Sequence, residues 1–307
     1  MRNKFSEHLA KLASKNKNIN IVVADISPAG KMEEFQKKYS SRFTNVGVAE
    51  QAMIGFCAGL AASGKITFAY TISTFALYRP FEMVRDDLCY QNLPVTIVGM
   101  GAGTIYSTLG GTHLAQEDIS IARSLPNMRI LAPCDPLELE QCLNFCVKNK
   151  NGPIYLRIGK SGEKNYSEIS KEKWKFGKIR KLVSGNKICI LTYGPIVEKA
   201  FKIKDKLDLS NKDISIYSTH TLKPFDSKGL VKIFRTFNKI ITLEDHSEIG
   251  GLKTIVESEA FLNKYRGHVI SFALKDKFIH RYGSQENLHK YHNLDLKYLI
   301  KKLKDEL

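Results

Sequence analysis

The sequence has 307 residues, of which 43% are apolar and 25% charged, so it is long enough for two domains and too apolar for a disordered chain. Its formal net charge of +16 would favour binding to nucleic acid, anionic lipid, phosphorylated substrates or an acidic partner subunit. Because the lysines are scattered and Asn and Ile are also abundant, we attribute most of the charge to compositional bias, which argues against a nucleic-acid-binding protein.

Hydrophobic patterning predicts that helices and strands alternate over the first half of the chain. The strands are apolar without a regular polar face, which is typical of a parallel sheet covered by helices on both sides. Ligands bind such sheets where the strands end, and there the sequence places a polar segment at 45–50 and a glycine-rich loop at 101–113. The predicted strands cover residues 19–24, 44–46, 66–71, 95–100, 128–132 and 154–158, and the predicted helices cover residues 3–16, 31–39, 49–62, 75–91, 116–124 and a segment capped by Asp135.

A charged and polar segment, residues 161–184, is the predicted linker between a first domain of residues 1–160 and a second domain of residues 185–307. After it the alternation resumes, which predicts a second, smaller domain of the same kind. The predicted fold class is therefore α/β, with two domains that each contain a mainly parallel sheet with helices on both faces. The second-domain strands are predicted at 187–193, 213–217 and 238–243, and the helices at 195–207, 226–236 and after Gly250-Gly251.

The six cysteines do not form a Cys-x-x-Cys pair, which favours small buried side chains over a metal site. The first twelve residues contain no continuous apolar run, and no segment reaches about 18 apolar residues. We therefore expect neither a signal peptide nor a membrane span. Together these features predict a cytoplasmic protein with reduced thiols.

Glu50 is a carboxyl group in the first turn of a predicted helix that is apolar nearly all round. The helix dipole favours its carboxylate by about 0.3–1 kcal/mol, whereas burial favours the neutral acid more strongly. We therefore expect a protonated or proton-sharing acid, which is a candidate catalytic group. The simpler alternative is that Glu50 only caps the helix or pairs with Arg42 or Lys31.

An ordered set of short sequence blocks spans nearly the whole chain. The blocks are NVGVAEQ at 45–51, GLAA at 59–62, GGTHLAQED at 110–118, RSLPNM at 123–128, GPIYLR at 152–157, KPFD at 223–226, EDH at 244–246 and GG at 250–251. Each block is weak alone, but in its order and spacing the set resembles the transketolase family. The second-domain blocks resemble the family's carboxy-terminal domain, and the others resemble its pyrimidine-binding domain.

The resemblance implies an enzyme that uses thiamine diphosphate. In this family a glutamate hydrogen-bonds the aminopyrimidine ring of the cofactor and promotes the tautomer that removes the thiazolium proton; Glu50 matches it. Phe75, Tyr78 and Phe81 match the family's aromatic pocket for that ring, and their spacing would place them on one side of a helix. Ordinary core packing is the alternative for these three side chains.

The resemblance also implies residues that contact the substrate. His113 matches a histidine that faces the substrate and can move a proton, and Arg157 matches an arginine that holds a substrate phosphate; a structural histidine and an edge ion pair are the simpler alternatives. Two positions depart from the family, because Leu109 stands where an aspartate binds the donor hydroxyl and Gly101 stands where a histidine is usual. The donor is therefore either held otherwise, for example by Tyr106, or not a standard pentulose phosphate.

The sequence lacks the family's Gly-Asp-Gly motif and its following Asn pair, which hold the divalent metal and the diphosphate. We therefore expect no metal ligands in this chain and a split enzyme instead. An amino-terminal transketolase-like subunit would carry that motif and hold Mg²⁺, and the expected assembly is an α2β2 hetero-tetramer. The expected reaction transfers a two-carbon ketol unit between sugars or sugar phosphates.

Two other functions stay open. One is acyl transfer from a 2-oxoacid, as in the β-subunit of a 2-oxoacid dehydrogenase or in deoxyxylulose-phosphate synthase, because Leu109 suits a less hydroxylated donor. The blocks around His113 and Asn127 favour transketolase over the dehydrogenase. The other is a non-catalytic partner subunit on the same fold, against which the presence of Glu50 and the aromatic residues argues.

Overall fold

The computed structural model describes residues 1–26, 31–207 and 213–306, and within these ranges the chain forms two β-sheets flanked by helices. The first sheet has seven described strands and the second has five. This architecture confirms the predicted α/β class. The described strands are β1 Ile19–Val23, β2 Phe43–Asn45, β3 Ile66–Ile72, β4 Val95–Met100, β5 Arg129–Leu131, β6 Ile154–Ile158, β7 Arg180–Val183, β8 Ile188–Thr192, β9 Ile214–Ser218, β10 Thr221–Lys223, β11 Lys239–Ser247 and β12 His268–Leu274.

The first sheet has the strand order β10-β5-β6-β4-β3-β1-β2, and every neighbouring pair is parallel except β10 with β5. Ile21 of β1 pairs with Phe43 of β2 on one side and with Phe68 of β3 on the other. Parallel strands in this register end at a common edge. The segments that follow β2, β3 and β4 therefore leave the sheet on the same side, which is where ligands bind such sheets.

The second sheet has the order β12-β11-β8-β9-β7, and only β7 with β9 is antiparallel. β7 occupies residues 180–183, which the sequence assigned to the linker. The predicted linker is therefore too long at its end, because four residues with mixed polarity carry no clear strand period. The boundaries of the two domains otherwise stay a prediction.

β10 connects the two halves of the molecule. This strand of three residues follows the second-domain strand β9 but pairs antiparallel with β5 at the edge of the first sheet. The Lys223 ammonium group donates to the main-chain carbonyls of Arg123 and Leu125. The sequence did not predict this strand, since a three-residue segment is too short for a periodic signal.

Helices cover both sheets, and their ends follow local sequence rules. Pro136 opens its helix, and the Asp135 side chain accepts a hydrogen bond from the Glu138 amide, as the sequence predicts; such a cap contributes about 1 kcal/mol. The helices described over five residues or more are Arg2–Lys15, Glu33–Lys38, Glu50–Ala62, Ser73–Leu77, Asp118–Ser124, Pro136–Lys148, Val197–Leu207, Ser227–Thr236, Leu252–Leu262, Gln285–Tyr291 and Leu296–Glu306, with a π-helix at Val84–Tyr90.

The single helix predicted over residues 75–91 is wrong. The segment forms the helix Ser73–Leu77, a turn at residues 78–80, the short helix Phe81–Met83 and then the π-helix. Pro80 lies at the break, because its ring nitrogen cannot donate the hydrogen bond that a continuous helix needs. The side chains at 75, 78 and 81 therefore do not share one face of a regular helix.

The sequence predicted that the helix Glu50–Ala62 is buried on every side, and this prediction is wrong. Met53, Ile54 and Cys57 face the hydrophobic core. The opposite face exposes two glycines and Phe56, whose side chain is 47% exposed. Within the described residues, nothing covers this apolar outer face, so the all-round apolar pattern was not a sign of burial within the chain.

All six cysteines are buried and free, which confirms their interpretation as small apolar side chains. Cys142 and Cys146 pack with Leu139 and Leu143 on one face of their helix. No helix within the described ranges is long and apolar enough to span a bilayer.

Candidate active site

The ends of β2, β3 and β4 bring the predicted catalytic residues together. β2 leads into the helix that starts at Glu50, β3 leads into a short helix that contains Phe75, and the loop after β4 leads to a 3₁₀ turn that contains His113. A chain of contacts joins them, from Glu50 to Arg79, from Arg79 to Phe75, and from Phe75 to His113. Residues from three distant parts of the chain thus form one site.

Glu50 is the first residue of its helix, and its side chain is only 5% exposed. Its Oε1 accepts a hydrogen bond from Arg79 Nη1 at 2.9 Å, so the two side chains form an ion pair. The sequence predicted a protonated or proton-sharing acid, or a pair with Arg42 or Lys31, and it did not indicate Arg79 as the partner. Arg42 is not that partner; it donates to the main-chain carbonyls of Ala13 and Asn16.

Arg79 is the site residue that the sequence analysis missed. Its guanidinium carbon lies over the Phe75 ring, 4.0 Å from the centroid, while its side chain stays 48% exposed. The available signal was local, since Arg79 is the one charged residue in the otherwise apolar and aromatic stretch FALYRPF. The contact with Glu50, 29 positions away, has no signature in the sequence.

Tyr78 and Phe81 occupy a different environment from Phe75. The Tyr78 hydroxyl donates to Glu117 Oε2 at 3.0 Å and accepts from the Glu117 amide at 3.1 Å. Burial, reinforced by the charges of Asp118 and Glu117, raises the pKa of Tyr78, so its hydroxyl keeps its proton and donates. Tyr78 and Phe81 pack against one hydrophobic cluster and Phe75 against another. Binding of a cofactor ring by Tyr78 and Phe81 together with Phe75 stays a prediction.

His113 is half-buried between two aromatic rings. Its ring centroid lies 5.1 Å from that of Phe75 and 6.4 Å from that of Tyr106, both in edge-to-face arrangements. Its Nδ1 contacts the Thr112 hydroxyl at 2.9 Å. Burial, and secondarily the positive charge of Arg79, lower the pKa of His113 below its ordinary value of 6.5. The neutral ring that results can accept a proton near neutral pH.

We therefore expect His113 to titrate with a midpoint below 6.5. NMR spectra of histidine-labelled protein, recorded from acid to alkaline pH, measure this midpoint, and the His113→Gln variant identifies the resonance. The reason for the low midpoint is that desolvation and a nearby cation both disfavour the imidazolium. A midpoint at or above the ordinary value would contradict this environment.

The residues around the glycine-rich loop explain one departure from the family pattern. Gly101 has a φ of +69°, and a Cβ atom at this position would lie 2.1 Å from the Tyr106 ring. A histidine cannot occupy position 101 while Tyr106 packs there. Tyr106 itself is buried, with the Lys160 ammonium group 5.0 Å from its ring centroid. Leu109 is 47% exposed, so it presents an apolar side chain where an aspartate was expected.

Arg157 is 3% exposed and lies where the two domains meet. Its Nε donates to Asp118 Oδ2 at 2.8 Å, and its Nη2 donates to the main-chain carbonyl of Asp245 at 2.9 Å. Asp118 Oδ2 also accepts from the Tyr155 hydroxyl at 2.7 Å. The ion pair considered as the simpler alternative is therefore present, but in the core rather than at an edge. These contacts indicate a structural role, and a substrate phosphate on Arg157 stays a prediction.

The donor atoms of the site favour some ligands over others. Among the described residues, no group of three or more His, Cys, Asp or Glu side chains is arranged to hold a metal ion. Divalent cations such as Mg²⁺ prefer several oxygen ligands, whereas this site offers one carboxylate, one imidazole and an aromatic face. That set suits a flat nitrogen heterocycle.

Two family models match most of the chain. Residues 1–163 match the transketolase pyrimidine binding domain, and residues 177–298 match the transketolase C-terminal domain. The two matches follow each other in the order that the sequence blocks predict.

Curated relatives give the same result, and two of the three named here are matched over most of their own length. A protein described as a putative transketolase C-terminal section, from Methanocaldococcus jannaschii, is 34% identical over all of this chain and 96% of its own length. One of the subunits of an apulose-4-phosphate transketolase, from Phocaeicola vulgatus, is 31% identical over 83% of this chain and 81% of its own length. A 1-deoxy-D-xylulose-5-phosphate synthase from Clostridium acetobutylicum is 32% identical over 97% of this chain but only 48% of its own length.

Solved structures agree with these relatives. A structure described as a split gene transketolase, inactive beta4 tetramer, superposes with a TM-score of 0.88 at 30% identity and covers 99% of this chain and 97% of its own. Transketolase from Campylobacter jejuni superposes with a TM-score of 0.80 over 99% of this chain and 46% of its own, and at 16% identity it supports the fold alone.

Proposed function

The chain belongs to the transketolase family, and from this premise we propose that it is the pyrimidine-binding subunit of a split, thiamine diphosphate-dependent transketolase. The observation that carries the proposal is that the buried Glu50 carboxyl group and the Phe75 ring both contact one side chain, Arg79, at the strand ends of the first sheet. The family resemblance assigns cofactor activation to this glutamate. Glu50 is then the catalytic carboxyl group, and Phe75 is the wall against which the cofactor ring lies.

The Arg79 guanidinium shows what kind of group the Glu50 carboxyl group and the Phe75 ring can hold. A planar group with N–H donors, the Arg79 guanidinium, is held by the Glu50 carboxylate and lies over the Phe75 ring. An aminopyrimidine ring is also planar and also presents nitrogen atoms to a carboxyl group, so the residues present suit it. When bound, thiamine diphosphate supplies an ylid and an electron sink. Glu50 would hold a proton at the pyrimidine nitrogen, and His113 would exchange one with the substrate.

The proposal includes a second chain that holds the diphosphate and Mg²⁺. The Gly-Asp-Gly motif is missing from the sequence, and this chain matches the curated relative described as a C-terminal section over 96% of that relative's length. The apolar outer face of the helix Glu50–Ala62, with Phe56 half-exposed, gives another chain a surface to cover beside the site. The α2β2 hetero-tetramer expected from the sequence is kept as part of the proposal.

The proposed reaction is transfer of a two-carbon ketol unit between sugars or sugar phosphates. The relative from Phocaeicola vulgatus, whose description names apulose 4-phosphate, supports a modified sugar donor. The exposed Leu109 cannot accept a hydrogen bond from a donor hydroxyl, which also favours a donor other than a standard pentulose phosphate.

A second candidate is acyl transfer from a 2-oxoacid. The observations that favour it are the apolar Leu109 and the 32% identity to a 1-deoxy-D-xylulose-5-phosphate synthase over 97% of this chain. Release of carbon dioxide from pyruvate by the reconstituted enzyme would distinguish this reaction, since ketol transfer between sugars releases none.

Purified alone, the chain is expected to turn over no ketose phosphate, because the groups that bind the diphosphate and the metal lie on the other chain. Co-purification with the chain that carries the Gly-Asp-Gly motif should restore activity in the presence of thiamine diphosphate and Mg²⁺. A coupled assay with ketose and aldose phosphates measures both states. Full activity of the single chain would contradict the split-enzyme proposal.

A further inference from the structure

Arg79 lies in the space that the proposed function assigns to the cofactor ring. Its Nη1 donates to Glu50 at 2.9 Å, and its guanidinium lies over the Phe75 ring, 4.0 Å from the centroid. Its charge also lowers the pKa of His113, which faces the same ring at 5.1 Å. One side chain therefore engages the predicted activating carboxyl group and the predicted ring-stacking surface, and acts electrostatically on the predicted proton-transfer residue.

This arrangement conflicts with the proposed chemistry if Arg79 stays in place. Activation requires Glu50 to hydrogen-bond the pyrimidine nitrogen, whereas its Oε1 already accepts a hydrogen bond from Arg79 Nη1. The face of Phe75 that carries the guanidinium cannot at the same time carry a pyrimidine ring. Arg79 and the cofactor ring therefore cannot occupy the space between Glu50 and Phe75, here called the slot, at the same time.

We propose that Arg79 is a placeholder, which fills the slot between Glu50 and Phe75 in the cofactor-free chain and leaves it when the aminopyrimidine ring binds. This inference rests on the proposed function, since it takes the slot to be the cofactor-ring site. It adds a residue that neither the sequence blocks nor the family resemblance assigns. The guanidinium is suited to this task because it shares planarity and N–H donors with the ring that replaces it.

Burial explains why a placeholder is needed. Glu50 is 5% exposed, and a buried carboxylate without a partner is strongly unfavourable. The Arg79 guanidinium supplies that partner until the cofactor ring arrives. Because the Arg79 side chain is 48% exposed, it can leave without disturbing the core. Its position in the turn at residues 78–80, outside any regular helix, leaves it free of helical side-chain packing.

A placeholder lowers the apparent affinity for the ring by the fraction of chains in which the slot is open. If Arg79 occupies the slot in about nine chains out of ten, its removal tightens binding by about tenfold. A residue that instead contacts the bound ring would weaken binding on removal. The sign of the change therefore separates the two roles.

The test uses the full chain and thiamine as the probe, with binding measured by saturation-transfer NMR and equilibrium dialysis. Arg79→Ala is expected to bind thiamine about tenfold more tightly than the unaltered chain, and Arg79→Lys, which keeps the charge but not the planar group, should fall between them. Arg85→Ala is the matched control, because Arg85 is an exposed arginine paired with Glu82 in the next helical segment. Equal or weaker binding by both Arg79 variants would overturn the proposal.

Free guanidinium ion gives a second measurement. At millimolar concentration it should compete with thiamine in Arg79→Ala, whose slot is vacant, and have little effect on the unaltered chain. The His113 titration midpoint should also rise in Arg79→Ala, since a nearby positive charge is removed. Absence of both effects in a folded Arg79→Ala protein would place Arg79 outside the slot.

The Glu50→Gln variant separates failure of this inference from failure of the proposed function. If thiamine binds the unaltered chain and Glu50→Gln weakens it, the ring site stands, and only the Arg79 variants decide whether the slot has a placeholder. If no variant binds thiamine at millimolar concentration, the placeholder proposal falls, and activity of the reconstituted enzyme decides the proposed function separately.

Discussion

Glu50→Gln is expected to lower kcat of the reconstituted enzyme by about 10²–10⁴-fold, the range typical for loss of a positioned proton-transfer group. Glutamine keeps the size and a hydrogen-bonding oxygen, but it cannot exchange a proton with the pyrimidine nitrogen. Steady-state assays measure kcat, and deuterium exchange at the thiazolium carbon, followed by NMR after acid quench, measures activation directly. Both rates should fall together.

The matched control for this prediction is Glu82→Gln. Glu82 is an exposed acid that pairs with Arg85 and lies outside the site, so its loss should leave both rates near those of the unaltered enzyme. Thermal melts of the two variants check folding. An unchanged exchange rate in Glu50→Gln would mean that another carboxyl group activates the cofactor.

Arg157→Met is expected to destabilise the chain by about 3–5 kcal/mol, because it leaves the Asp118 carboxylate buried without its charge partner. The side chains of Arg157 and Asp118 are 3% and 0% exposed, and their ion pair measures 2.8 Å. Arg157 also holds the main-chain carbonyl of Asp245 in the second domain. Urea denaturation followed by circular dichroism measures the loss of unfolding free energy.

The double variant Asp118→Asn with Arg157→Met provides the control. Removing both charges should restore part of the stability that Arg157→Met loses, since a buried pair that is deleted entirely leaves no uncompensated charge. A loss of less than about 1 kcal/mol in Arg157→Met, the range of an exposed pair, would show that solvent reaches Asp118.

The proposed split of the site between two chains also bears on the outer face of the helix Glu50–Ala62. Sequence patterning treated this helix as buried on every side, and the structure exposes Phe56 and two glycines. Hydrophobic residues that a partner covers look the same in the sequence as residues that the chain itself covers. The pattern thus identified an apolar helix, but the prediction that the chain buries it on every side is wrong.

The sequence by itself determined the class of the fold and the family. The alternation of helices with apolar strands predicted the two mainly parallel sheets. The cap at Asp135 predicted the residue at which the next helix begins. These features are local, because a period or a cap depends on residues that are close together in the chain. The motif around Glu50 likewise identified a candidate carboxyl group without any knowledge of its surroundings.

Tertiary structure alone decided what these groups contact. Arg79 reaches Glu50 across 29 positions, Arg157 reaches Asp118 across 39, and β10 pairs with β5 although it follows the second-domain strand β9. Pro80 broke the helix that would have aligned Phe75, Tyr78 and Phe81. Such contacts depend on how separate segments pack, and packing is set by the shape of the whole core rather than by any local pattern. For that reason the sequence supplied candidate residues such as Glu50 and Arg157, and the structure showed that Glu50 pairs with Arg79 and that Arg157 lies in the core.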